Sequence, residues 1–196
     1  MPKQSINLDN QLSLLKLYRA CGDLKHLKRT GWVYCKIEEP ETVASHMYRM
    51  AIMAMTLPIP EGVDRIKCMK MALVHDLAEA IVGDITPHDN VSEDDKHQRE
   101  KDAFETLIAH VTDKKIGEEM YDLWQQYEKQ ESKESNVVKE LDKFDMMLQA
   151  LEYEETQQKD LNSFFKSSIN ILKSPAIKQL GDHVYQQHLN LHNKKA

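Results

Sequence analysis

A chain of 196 residues with 41% hydrophobic content is long enough to bury one sizeable core, so a single domain spanning 1–196 is expected. Its formal charge of −6 argues against a nucleic-acid duplex as partner, which needs a basic face, but leaves room for a small nucleotide in a local positive pocket. Three scattered cysteines, Cys21, Cys35 and Cys68, exclude a disulfide framework and suit a reducing compartment, so a cytoplasmic location is expected.

The opening MPKQSINLDN has no apolar run of the kind a secretory signal needs. From about Leu8 to Leu27, the spacing of Leu12, Leu15, Tyr18 and Leu24 predicts a helix with a break near Gly22. RTGWVYCKIEEPE, with Gly31 and Pro40, reads as an extended connection. A second helix is expected from Glu41–Thr42 to about Leu57, and a third from about Val63 to Val82, stopped by Gly83. DITPHDNVS reads as a loop, after which Ser92 with Asp95 resembles a capping box opening a fourth helix. Apolar spacing then predicts helices over about Ile116–Gln130, Val137–Glu155, Leu161–Leu172 and Ile177–Leu191, followed by the exposed tail HNKKA. No segment alternates like a strand, so the fold class expected is all-α. The methionines of the second and third helices read as core packing.

Within the third helix, Leu73 to Pro87 reads LVHDLAEAIVGDITP, and its His75, Asp76 and Glu79 stand among apolar residues on nearly every side. A buried charge without a partner costs several kcal/mol, roughly, even after relaxation. Together with Lys70, these three polar residues also rule out a membrane span over Met69–Val82. On a helix they share an arc of roughly 100°. Adjacent His and Asp can ligate one divalent ion, which stabilises both groups. Further ligands must come from other helices. His46, beside the Met47–Met50–Ala54 stripe, is the best candidate, and Asp142, between Leu141 and Phe144, is the second.

The pattern His46, His75–Asp76, Asp142 resembles the HD-domain metal-dependent phosphohydrolases. RTGWVY, PETVASHMYRMA, HDLAEAIVGDITP and ELDKFDMMLQALEYE are similar to the HD-domain-containing protein 2 branch, whose members are 5′-deoxynucleotidases. The resemblance covers about Leu8 to Glu155, with residues 156–191 adding C-terminal helices without a usable motif. It implies that His46, His75, Asp76 and Asp142 hold a single divalent ion, with Mn, Co, Fe or Mg suiting two imidazoles and two carboxylates better than a closed zinc site.

The same resemblance makes Glu79 the catalytic acid–base residue and places Asp84 at the pocket edge, protonating the leaving 5′-oxygen or holding the sugar. It makes Arg29 and Trp32 nucleotide contacts, Arg29 through its fork of donors and Trp32 through its flat face. Trp32 also reads as a large core anchor. Relatives carry an acid before the first histidine, where Ser45 stands here. In KHQREKDAFETL, His97 and Glu100 lie one turn apart and can touch a second cation, although a solvated face is the plainer reading. The implied partners are a small nucleotide and a second copy of the chain in a homodimer. A cyclic-nucleotide or dinucleotide phosphodiesterase and a non-catalytic nucleotide-binding protein remain as alternatives.

Overall fold

The computed structural model describes residues 8–193, so the opening residues 1–7 and most of the expected tail lie outside the described residues. Helix α1 spans Leu8–Asp23 and runs through Gly22 without the expected break. Its core-facing stripe is Leu17, Ala20 and Leu24, whereas Leu12, Leu15 and Tyr18 are about half exposed. Both stripes have helical spacing, and periodicity alone does not say which of them meets the core. The expected extended connection contains a short helix, α2 (Thr30–Tyr34).

Helix α3 (Val43–Thr56) begins where expected. Thr42 Oγ1 accepts the Ser45 N–H, and Ser45 Oγ accepts the Thr42 N–H at 3.0 Å. This reciprocal cap contributes about 1 kcal/mol and gives Ser45 a role in starting the helix. At the other end, Arg65 donates to the carbonyls of Ala54, Met55 and Leu57 at 2.7, 2.8 and 2.8 Å, satisfying terminal groups the helix leaves open.

The expected long third helix is split into α4 (Arg65–Val74) and α5 (Glu79–Val82). Gly83 ends α5 with φ +79°, a left-handed conformation that favours glycine. The following loop holds a 3-10 turn at Pro87–Asp89. Helix α6 (Glu93–Ile108) starts on Ser92, whose hydroxyl accepts the Asp95 N–H. Asp95 does not complete a capping box, because its carboxylate pairs with Arg99 at 2.7 Å.

Helix α7 spans Lys114–Lys129 and α8 spans Lys133–Gln157. α8 starts a turn earlier than the apolar spacing suggests, because Ser132 and Ser135 cap it reciprocally. α9 (Asn162–Ser168) and α10 (Pro175–Asn193) close the fold. At 25 residues, about 37 Å long, α8 forms the centre. Helices α3, α4, α7, α9 and α10 all pack on it. Its Leu141, Met147 and Ala150 are fully buried, and Met50 and Met71 join the same core, whereas Met55 is exposed. A Cβ on Gly181 would come within 2.2 Å of Leu172 Cδ1, so glycine lets α10 approach its neighbour.

Among the described residues there is no strand, only a single bridge between Lys28 and Thr42, so the fold is all-α. No described helix is long and apolar enough to cross a membrane.

Candidate metal centre

His75 and Asp76 sit where the chain leaves α-helical geometry. His75 still donates its N–H to Met71, four residues back. Leu77, Glu79, Ala80 and Ile81 donate three residues back, to Val74, Asp76, Leu77 and Ala78. Three-residue spacing eclipses side chains at i and i+3, so Asp76 and Glu79 project from one side of this tightened turn. The expected shared arc survives, although the continuous helix that suggested it does not.

His46 from α3, His75 and Asp76 from the turn, and Asp142 from α8 converge. One donor atom from each of His46, His75 and Asp76 falls within 4.8 Å of the others. His46 Nε2 lies 3.4 Å from Asp142 Oδ1 and 3.9 Å from Asp76 Oδ2, and His75 Nε2 lies 3.2 Å from Asp76 Oδ2. Both histidines are turned by their other nitrogen. His46 Nδ1 donates to Asp145 Oδ2 at 2.7 Å, and His75 Nδ1 donates to the Ala72 carbonyl at 3.0 Å. Both partners only accept, so the Nδ1 atoms carry the hydrogens and the Nε2 lone pairs face inward. Those two Nε2 atoms are buried without a hydrogen-bond partner. Two open imidazole nitrogens beside two carboxylates fit a divalent ion.

Asp145, which the sequence pattern did not single out, is fully buried and also pairs with Arg49. Such outer partners commonly fix the orientation of a ligand. Tyr127, also missed, donates its hydroxyl to Asp142 Oδ2 at 3.2 Å and sets its ring edge against His75. Lys143 and Lys139 approach the same Asp142 oxygen at 3.2 and 3.5 Å. The available signal for Asp145 was the second aspartate of ELDKFD, one turn after Asp142.

Arg29, Lys139 and Lys143 set positive charge against the carboxylates of the centre. Burial and Arg29 push His46 down, yet Asp142 and Asp145 outweigh them and raise it to about 9. Against the cost of burial, His75 foremost, then Arg29 and His46, hold Asp76 below the usual carboxylate range. A bound cation therefore competes with a proton at His46.

Arg29 reaches the centre, with Nη1 3.2 Å from Asp76 Oδ2 and Nη2 3.9 Å from Asp142 Oδ1. Glu79 is 6% exposed, and its Oε2 has no partner. Burial first, then Asp76 and Asp84, push its carboxyl well above the usual range. Asp84 Oδ2 accepts the Thr30 N–H at 2.6 Å, which pins the start of α2 and the adjacent Arg29.

Trp32 departs from the expectation of a free aromatic face. It borders the cavity but is 2% exposed, with Tyr153 at 5.3 Å and Phe164 at 4.4 Å between ring centroids, and its Nε1 donates to Glu41. Phe164, only partly buried, adds an aromatic surface to the same wall. His97 is exposed and pairs with Glu128 at 3.1 Å. Glu100 differs from the expected solvated face, being buried with Lys96 at 3.7 Å.

Arg29, His75, Asp76, Glu79, Asp84 and Asp142 line a cavity of about 710 Å³, within the range of small-molecule sites. The HD domain family model matches residues 21–181. The chain is 49% identical to 5′-deoxynucleotidase HDDC2 of Danio rerio, covering 87% of this chain and 84% of that protein. It is 46% identical to 5′-deoxynucleotidase HDDC2 of Xenopus laevis, covering 89% and 87%. A crystal structure of a Pyrococcus horikoshii protein shares the fold with a TM-score of 0.72 at 32% identity, covering 90% and 99%.

Proposed function

The chain belongs to the HD-domain family, and from that premise we propose that it is a metal-dependent 5′-deoxynucleotidase, releasing phosphate from deoxyribonucleoside 5′-monophosphates. One observation carries this reading. The partnerless Nε2 atoms of His46 and His75 meet Asp76 and Asp142 at the floor of a nucleotide-sized cavity, which His75, Asp76 and Asp142 line and which Arg29, Lys139 and Lys143 make attractive to phosphate.

In this reading His46, His75, Asp76 and Asp142 hold one divalent ion of the Mn, Co, Fe or Mg class. When bound, that ion supplies Lewis acidity toward a phosphoryl oxygen and makes water a better nucleophile. Arg29 presents its fork of donors to the phosphate, with Asp84 fixing α2 so that the fork stays in place. Glu79 orients the attacking water and takes its proton. The water oxygen bonds to phosphorus, the bond from phosphorus to the 5′-oxygen breaks, and the leaving oxygen takes a proton from the site. Trp32 braces Phe164, which forms the wall nearest the nucleoside.

We read residues 1–196 as one HD unit, supported by the family match over 21–181. Cys21, Cys35 and Cys68 are all free thiols, which supports a reducing, cytoplasmic setting. Exposed Tyr48, Ile52 and Met55 form one stripe on α3, and Ile66 and Leu73 another on α4, which supports a homodimer through this face. The functional test is phosphate release from a panel of deoxyribo-, ribo- and cyclic nucleotides after metal stripping and add-back. Deoxyribonucleoside monophosphates should turn over fastest. A faster cyclic nucleotide would overturn the reading.

A further inference from the structure

A second donor cluster lies away from the metal centre, at the junction of α8, α9 and α10. Glu154 is twelve residues beyond Asp142 on α8, about 18 Å along the helix. Its carboxylate is buried and faces two histidines on successive turns of α10. His188 Nδ1 is 2.7 Å from Glu154 Oε2, and His192 Nε2 is 3.2 Å from Glu154 Oε1. One donor atom from each of the three residues lies within 4.8 Å of the others.

His188 is held in place by its neighbours. Its Nδ1 faces the Glu154 carboxylate, and its Nε2 faces Asn162 Oδ1 at 3.3 Å. Glu154 accepts the Nδ1 hydrogen of His188, and the Asn162 amide, which carries both a donor and an acceptor, meets the other ring nitrogen. The ring is not free to turn away, because Phe165 stacks on it at 4.0 Å with planes 15° apart. Glu154 is fixed as well, since its Oε1 accepts the Leu161 N–H at 2.8 Å. A buried carboxylate and two imidazoles therefore face one another in a fixed geometry.

We propose that Glu154, His188 and His192 form a second divalent-metal site, of the zinc class, that clamps α10 onto α8. Two imidazoles one turn apart with one carboxylate are a donor set for a borderline transition ion, whereas Mg²⁺ and Ca²⁺ prefer oxygen. Bonds of about 2.0–2.2 Å in a tetrahedral site space the donors by roughly 3.3–3.5 Å. The His192–Glu154 separation already matches that spacing. His188 Nδ1, 2.7 Å from the other oxygen, Oε2, would move away by roughly 0.6–0.8 Å to reach that spacing. Asn162 then receives the Nε2 hydrogen, holding the ring in the ligating tautomer. His192 is about one-third exposed, which leaves an entry path and room for water as a fourth ligand.

The test uses the full chain, stripped by chelation, reloaded with excess Zn²⁺, desalted and measured for zinc per chain. Wild type should hold one equivalent more than His192→Ala, a variant at a partly exposed position that should fold normally by circular dichroism. Co²⁺ loading should give visible absorption in wild type that is weaker by one centre in the variant. The Zn²⁺-dependent gain in Tm should also be smaller in the variant by a few degrees. Equal zinc content and equal Co²⁺ spectra in the two proteins would overturn the proposal and leave the cluster held by a proton alone. A lower Tm in the variant without any metal difference would count against it in the same way. Phosphate release by His192→Ala should match wild type once the main centre is loaded, which separates this site from the catalytic one.

Discussion

His46 Nδ1 and Asp145 Oδ2 lie 2.7 Å apart, and this contact decides which nitrogen of His46 faces the metal centre. When the ring is neutral, as a ligand must be, the carboxylate accepts its one hydrogen and leaves Nε2 as the inward lone pair. Arg49 holds the other Asp145 oxygen, so α3 and α8 are joined through the same carboxylate that orients a ligand. Fold and site share one buried ion pair.

Asp145→Asn should therefore weaken metal binding by about 10–100-fold, the range typical of lost outer-shell partners. The asparagine keeps an acceptor but loses the charge that favours the Nδ1 hydrogen and pairs with Arg49. Chelator competition on wild type and variant measures this directly. Unchanged affinity would mean that packing alone orients His46.

Removing a ligand acts more severely. His75→Ala and Asp76→Ala should each lose metal and activity together, because neither leaves a donor that can fill the gap. Elemental content per chain is the readout. A full complement of metal in either variant would contradict the four-residue assignment.

The exposed stripes of α3 and α4 make a prediction about assembly. Stable interfaces bury roughly 1,200–2,000 Å² in total, and a glutamate in the middle of the apolar stripe should break one. Sedimentation of Ile52→Glu should show monomer where wild type sediments as dimer. A wild type that stays monomeric at tens of micromolar, on the order of ordinary assay stocks, would remove the homodimer.

How much of this was legible in the sequence follows from what each signal encodes. His75 and Asp76 stood out because charge inside an apolar run is costly, and that cost is local. His46 and Asp142 stood out for the same reason on two other helices. The tightened turn at 75–81 was not legible, since apolar residues on every side erase the difference between periods of 3.0 and 3.6. Which stripe of α1 meets the core was not legible, because Leu12–Leu15 and Leu17–Ala20–Leu24 are both apolar, and only tertiary packing selects between them. Asp145 and Tyr127 act through contacts with residues 99 and 15 positions away, which spacing within one helix does not record. Trp32 was ambiguous between substrate face and core anchor, and its packing with Tyr153 and Phe164 favours the anchor.

Glu100 gives a pH dependence. Burial raises its carboxyl, against the pull of Lys96, to about 7, from about 4.5 in a free chain. Between those values the folded protein holds a proton that the unfolded chain has lost. Stability therefore falls as pH rises through this window. At about 1.4 kcal/mol per pH unit, reduced by residual solvent screening, the loss is about 2 kcal/mol. Glu100→Gln removes the titration, so its advantage over wild type should appear at pH 8 and vanish near pH 4.5. Urea denaturation of metal-stripped protein at both values tests this. An advantage of equal size at both would assign the effect to packing.

Glu79 separates chemistry from metal binding. It projects from the same side of the tightened turn as Asp76, yet it is not among the four residues proposed to hold the ion. Its Oε2 is buried without a partner, a costly state that a water bound beside the ion would relieve. Asp84, the other carboxylate at the cavity edge, commits its Oδ2 to the Thr30 N–H. If Glu79 takes the proton of the attacking water, Glu79→Gln should keep shape, fold and metal but lose about 10²–10⁴-fold in turnover, the usual contribution of a general base. Glu79→Ala should be comparably slow, with substrate affinity changed much less in both. Single-turnover kinetics on metal-loaded proteins isolates the chemical step from binding and release. Near wild-type turnover in Glu79→Gln would show that the residue supplies only shape and hydrogen bonding, and the proton would then have to be traced to Asp84.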